Sequence, residues 1–141
     1  MNVLEDIELT SNPRLRKPIR VLVADDSPPA RGVIRALLAS LQEVEMVGLA
    51  SDGEEAVAQA EALRPDLILM DLQMPKLDGL RATRMVRKHL PGVRVVVVTV
   101  NYGPEVQQTC LAGGADGFVA KDRLYQDLFA EIRRVFPSRP P

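Results

Sequence analysis

The chain has 141 residues, the size of one domain with a single continuous core, and its 18 basic and 19 acidic side chains leave a net charge of −1. That balance argues against a strongly basic nucleic-acid surface and against a polyacidic tail. Cys110 is the single cysteine, so an internal disulfide is excluded and a reducing cytoplasm is the simpler expectation. No apolar run approaches the roughly 20 residues that span a bilayer, and the opening stretch lacks the basic start and apolar segment of a signal peptide.

Residues 1 to about 18 pass from acidic (Glu5, Asp6, Glu8) to basic (Arg14, Arg16, Lys17), with Pro13 and Pro18 as breakers, and read as a flexible extension. From Ile19 short apolar runs alternate with segments of helical period: strand 19–24, helix about 29–41, strand 44–49, helix about 54–63, strand 67–70 and helix about 79–89. The pattern continues with strand 93–99, helix about 104–112, strand 117–120 and helix about 124–136. Val33, Ile34, Leu37, Leu38 and Leu41 make one helical stripe; Leu124, Leu128, Ile132 and Val135, widened by Phe129 and Phe136, make another. Ser27 before Pro28-Pro29, and Asp52 and Asp78 each before a glycine, are capping signals; Asp116-Gly117 marks a turn, and Pro137 ends the last helix before a tail at 137–141. Five βα units in succession predict an α/β fold, a doubly wound parallel sheet with helices on both faces, in one domain over 19–136.

Four strand exits carry polar chemistry. Val21-Leu22-Val23-Ala24 runs into Asp25-Asp26, and Leu67-Ile68-Leu69-Met70 into Asp71, with Met74-Pro75 soon after. Val95-Val96-Val97-Val98 runs into Thr99, and Gly117-Phe118-Val119-Ala120 into Lys121. In an open α/β sheet the carboxyl edge is where ligands bind. Two acids at one exit and a third at a neighbouring exit form an oxygen-rich pocket that suits magnesium, a hard ion that takes carboxylates, water and phosphate oxygens. Lys121 offsets part of the charge and Thr99 supplies a neutral hydrogen bond. These parts fit phosphoryl transfer, with Asp71, alone on its strand, as the nucleophile. Taken singly, each residue has an ordinary reading as a turn acid, a cap, a strand end or a snorkelling lysine. Their joint occurrence at one sheet edge favours the constellation.

In this order, Asp25-Asp26, Asp71 with Met74-Pro75, Thr99 and Lys121 resemble the receiver domain of bacterial two-component response regulators, over residues 19 to about 136. The resemblance implies a (βα)5 flavodoxin-like sheet of strand order 2-1-3-4-5. It implies that Asp71 accepts phosphate from a sensor histidine kinase, a phosphotransfer protein or a small phosphodonor. Asp25, Asp26 and Asp71 would hold Mg2+ with the backbone carbonyl of Gln73, while Thr99 and Lys121 would hold the phosphoryl oxygens. Phe118 matches the switch aromatic, turning inward as Thr99 moves, so that the 104–136 face changes shape for a downstream effector. Such a module catalyses only its own phosphorylation and dephosphorylation, and a homodimer is a further partner the resemblance allows. No direct contact with nucleic acid or membrane is expected.

Two departures stand out. Val100 follows the switch hydroxyl where family members usually have a small residue, which predicts slow loading at Asp71. Asp122 follows Lys121 where many members have proline, as in the branch with helix-turn-helix outputs. A regulatory half of a DNA-binding transcription factor, cut after residue 141, is therefore the alternative function. Gln73 and Asn101 occupy positions that resemble those tuning phosphate lifetime. An aspartyl phosphatase would need Asp-x-Asp at the first exit, and a dinucleotide site Gly-x-Gly-x-x-Gly; neither is present. His89 reads as a cation at a helix C-terminus, Cys110 as core filler, and Arg81, Arg84, Arg87 and Lys88 first as a solvated face and second as a dock for an acidic partner. Tyr102 reads equally as a lining of the pocket mouth or as loop surface.

Overall fold

A computed structural model of the chain describes residues 17–101 and 103–137. Most of the predicted extension, Tyr102, and the tail beyond Pro137 lie outside the described residues. The apolar runs form five strands: β1 (Ile19–Ala24), β2 (Val44–Ala50), β3 (Leu67–Met70), β4 (Arg94–Thr99) and β5 (Gly117–Ala120). Between and after them run α1 (Pro28–Ala39), α2 (Gly53–Leu63), α3 (Gly79–His89), α4 (Pro104–Ala112) and α5 (Leu124–Val135). A single 3-10 turn, Lys121–Arg123, links β5 to α5. Every strand pair is parallel and the order is β2-β1-β3-β4-β5, the predicted flavodoxin-like sheet.

Side chains alternate across each strand, so one apolar run feeds two cores. On one face Val21, Val23, Leu67, Leu69, Val96 and Val98 pack with Ile34 and Leu38 of α1 and with Leu128 and Ile132 of α5. On the other, Leu22, Ala24, Ile68, Met70 and Val95 pack with Ala56, Val57 and Ala60 of α2 and with Ala82 and Val86 of α3. The central strands read as unbroken Val/Leu/Ile because helices cover both of their faces. A fully buried side chain such as Leu128 is worth about 1.5–3 kcal/mol of transfer free energy.

The capping signals act as expected. Ser27 accepts the Ala30 N–H at 3.4 Å, Asp52 that of Glu55 at 2.8 Å and Asp78 that of Arg81 at 2.9 Å. Helix α1 stops at Ala39 rather than near 41, because Ser40 turns its hydroxyl back onto the Leu37 carbonyl at 2.6 Å. Leu41 still packs against the α1/α5 core from beyond the helix. β4 starts at Arg94 rather than 93, since the Val93 N–H is held in a turn by the Leu90 carbonyl at 3.1 Å. α5 ends at Val135, one residue short of 136.

Two glycines bring helix N-termini against the β3 exit and the loop that follows it. A Cβ on Gly79 would lie 1.8 Å from the Asp71 carbonyl oxygen, and one on Gly53 would lie 1.8 Å from that of Leu77. Only a missing side chain permits such approaches. Met74 and Leu77 anchor the intervening loop on the α2/α3 core.

Candidate functional site

The register of the parallel sheet brings the four exits together. Ala24 and Met70 are cross-strand partners, Met70 pairs with Val97, and Thr99 pairs with Ala120. Asp25, Asp71 and Lys121, the residues just past β1, β3 and β5, and Thr99, the last residue of β4, therefore come to the same edge. The Asp25 N–H donates to the Ala50 carbonyl and the Asp71 N–H to the Ala24 carbonyl, both at 2.9 Å, so the last rungs of the sheet fix both acids. Asp25 is 1 % exposed and Asp71 4 %, whereas Asp26 faces solvent.

Carboxylate oxygens of Asp25, Asp26 and Asp71 all lie within 4.8 Å of one another. Lys121, the first residue of the 3-10 turn, places Nζ 2.8 Å from Asp25 Oδ2 and 3.3 Å from Asp71 Oδ2. Asp25 Oδ1 accepts the Ser27 N–H at 2.8 Å. Its Oδ2, buried and close to the ammonium, has no aligned hydrogen-bond donor among the described residues. Thr99 is fully buried, and its hydroxyl accepts the Asn101 N–H at 3.3 Å. Gln73 presents its backbone N–H to the Asp71 carboxylate; the expectation for this residue concerned its carbonyl. Val100, beside Thr99, is exposed.

Burial and then the Asp25 charge push the Asp71 carboxyl above the ordinary aspartate range, while Lys121 and the Gln73 N–H pull against them. Burial pulls the Lys121 ammonium down, but Asp25 and Asp71 outweigh it and hold that group above its ordinary value. Three carboxylates thus face one ammonium, an unbalanced negative charge. Clustered carboxylates that outnumber the one ammonium, and an all-oxygen ligand set, are what a hard divalent cation requires, so these residues fit a metal.

Phe118 is half-buried and packs on Val97, Cys110 and Ala115. Its backbone N–H donates to Glu131 at 2.9 Å, a contact the sequence reading missed. Glu131 is in turn paired with Arg134 at 2.5 Å, and Arg134 donates to the Asp116 carbonyl at 2.6 Å. No periodicity marks Glu131, because its partner is the unpaired outer edge of β5. Cys110 is buried core filler, with burial raising its thiol pKa, and His89 lies exposed in the last turn of α3 beside Arg87 and Lys88. Arg87 is not purely solvated: it pairs with Asp116 at 3.3 Å and donates to the Val93 carbonyl.

The model of the response regulator receiver domain family matches residues 21–133. The chain belongs to that family. It is similar to the response regulator GacA of Pseudomonas viridiflava, 39% identical over 121 residues covering 86% of this chain and 56% of that protein. The nitrate/nitrite response regulator NarL of Escherichia coli K12 is 36% identical over 120 residues, 85% of this chain and 56% of the relative. The chain therefore spans a little over half the length of the curated relatives it matches. Among solved structures, the response regulator domain of Thermotoga maritima CheB superposes with a TM-score of 0.80 at 33% identity, covering 88% of this chain and all of that one. In this receiver domain, as its sequence predicted, the acids, the hydroxyl and the amine share one sheet edge. Among the described residues no helix is long and apolar enough to cross a membrane.

Proposed function

We propose that this receiver domain takes a phosphoryl group onto Asp71 from the phosphohistidine of a sensor histidine kinase or phosphotransfer protein, and relays its state through the 104–136 face. The observation that carries the reading is the convergence of Asp25, Asp26, Asp71 and Lys121 around one half-neutralised carboxylate. An Asp71 carboxylate oxygen attacks phosphorus, the P–N bond to the donor imidazole breaks, and the imidazole keeps the bond electrons. Lys121, 3.3 Å from Asp71, is placed to pair with a phosphoryl oxygen as the carboxylate charge is spent. Thr99, whose hydroxyl accepts the Asn101 N–H, would donate its own O–H to a phosphoryl oxygen, and its movement toward the phosphate would let Phe118 turn inward.

Asp25, Asp26 and Asp71, with the Gln73 carbonyl, would hold Mg2+, which when bound supplies charge neutralisation for the carboxylates and the incoming phosphate. Hydrolysis reverses the state: water attacks phosphorus, the P–O bond to Asp71 breaks, and inorganic phosphate leaves as the carboxylate is regenerated. The protein is then a self-modifying switch of the cytoplasm and not a turnover enzyme, and its effector is a protein docking on the 104–136 face. Incubation with a small phosphodonor, followed by mass analysis of the intact chain, tests this. A gain of one hydroxylamine-labile phosphoryl group is expected, dependent on Mg2+ and abolished by Asp71→Asn. A folded protein that binds no divalent cation and is never modified by any donor refutes it.

A further inference from the structure

Helices α2 and α3 lie side by side on one face of the sheet, sharing the core of Ala56, Val57, Ala60, Ala82 and Val86. Their solvent faces are opposite in charge. Those of α2 show Glu54, Ala58, Glu61 and Ala62, and no basic residue occurs in that helix. Those of α3 show Arg81, Arg84, Met85 and Lys88, and no acid occurs in it. Helix dipoles account for Glu54 in a first turn and Lys88 in a last turn. They disfavour Glu61, in the last turn of α2, and Arg81, in the first turn of α3. Among the described residues Arg81 has one weak partner, Asp78 at 3.7 Å, and no ion pair engages Glu54, Glu61, Arg84 or Lys88. Met85 is 41% exposed in the middle of the basic stripe.

We propose that this α2/α3 face binds the same face of a second copy of the chain. An acidic stripe beside a basic stripe is self-complementary under one rotation only. A two-fold axis parallel to the helices sets α2 of each copy against α3 of the other, whereas an axis across them would oppose like charges. The levels along the helices agree. Both helices start at the carboxyl end of the sheet: Gly53 follows β2 and packs against Leu77 of the loop after β3, and Gly79 packs against the Asp71 carbonyl. With a rise of about 1.5 Å per residue, Glu54 faces the level of Arg81, and Glu61 that of Lys88. Met85 then meets the gap between Ala58 and Ala62, small residues that admit a long flexible side chain. The Glu61 and Arg81 placements, unfavourable in the free helices, become favourable across the interface.

Two helices of 11 residues present a patch of roughly 16 by 20 Å, the size of a weak, transient interface rather than an obligate one. The association is therefore expected to be salt-sensitive. It uses a surface separate from the 104–136 face.

The test is sedimentation equilibrium of the full chain at low and high salt. The wild type should dimerise, with Kd weakened about tenfold or more by 0.5 M NaCl. Two charge-reversed variants, Arg81→Glu/Lys88→Glu and Glu54→Lys/Glu61→Lys, should each be monomeric, with unchanged circular dichroism because all four positions are exposed. Mixed together, they should form a heterodimer in which one stripe contact keeps its wild-type sign and the other is restored with the opposite sign. A wild type that stays monomeric at millimolar concentration and low salt overturns the proposal. So does a dimer that survives either reversal, which would lie on another face, and so does a mixture that fails to associate.

Discussion

Replacing Lys121 with methionine keeps the length of the side chain and removes the one positive charge between Asp25 and Asp71. At an effective dielectric of about 20, unit charges 2.8 Å and 3.3 Å apart attract by about 6 and about 5 kcal/mol. Much of that is offset by the cost of burying the ammonium, which is 14% exposed, next to a carboxylate that is 1% exposed. Deleting one partner of such a buried pair costs about 3 kcal/mol net, because the acids left behind repel without compensation. For a domain of this size that lowers Tm by roughly 12 °C. The assay is urea unfolding with chelator present, repeated with excess Mg2+, which should recover part of the loss by binding the folded state alone. In the double variant Lys121→Met/Asp71→Asn the penalty should shrink by about 1 kcal/mol or more, since the removed acid was the lysine's partner. A single-variant cost below about 1 kcal/mol, or strict additivity in the cycle, would refute the electrostatic account of the site.

Asp71→Asn alone should stabilise the domain at neutral pH. The folded-state pKa of Asp71 is raised, so this group favours folding only when protonated and opposes it once pH rises past its ordinary value of 3.8. The gain over wild type should fade as pH is lowered toward that value; thermal melts from pH 7 to pH 4 check the trend. Gly79→Ala should cost about 3 kcal/mol, because its Cβ meets backbone 1.8 Å away and cannot be relieved by a rotamer change. Gly32→Ala, with nothing within 4 Å and a place on the exposed side of α1, should instead gain about 0.5–1 kcal/mol from helix propensity. Chemical denaturation of the two variants side by side gives the contrast. Val100→Ala should speed phosphodonor loading and shorten the lifetime of the modified state, followed by intact mass against time; unchanged rates would show that the valine does not gate Asp71.

Local chemistry carried most of the element pattern. Ser27, Asp52 and Asp78 cap where a short polar side chain precedes a helical period, and the central strands announce themselves because both of their faces are covered. Boundaries slipped where a single hydrogen bond outweighed periodicity, as when Ser40 closed α1 ahead of Leu41. The site residues were legible because parallel strands all deliver their last residue to the same edge, so order along the chain translates into proximity. What the sequence left undetermined depends on distance. That Lys121 contacts Asp25 more closely than Asp71, that Asp26 remains in solvent while Asp25 is buried, and that Asp25 and burial together raise the Asp71 pKa are properties of the packed sheet. Glu131 reached the β5 edge, and the acidic α2 came to lie beside the basic α3, for the same reason. Those contacts join residues far apart in the chain, and no period within either helix encodes them. The order of the chain's chemistry is one-dimensional, whereas electrostatic strength and burial are set only when the strands pair and the helices cover them.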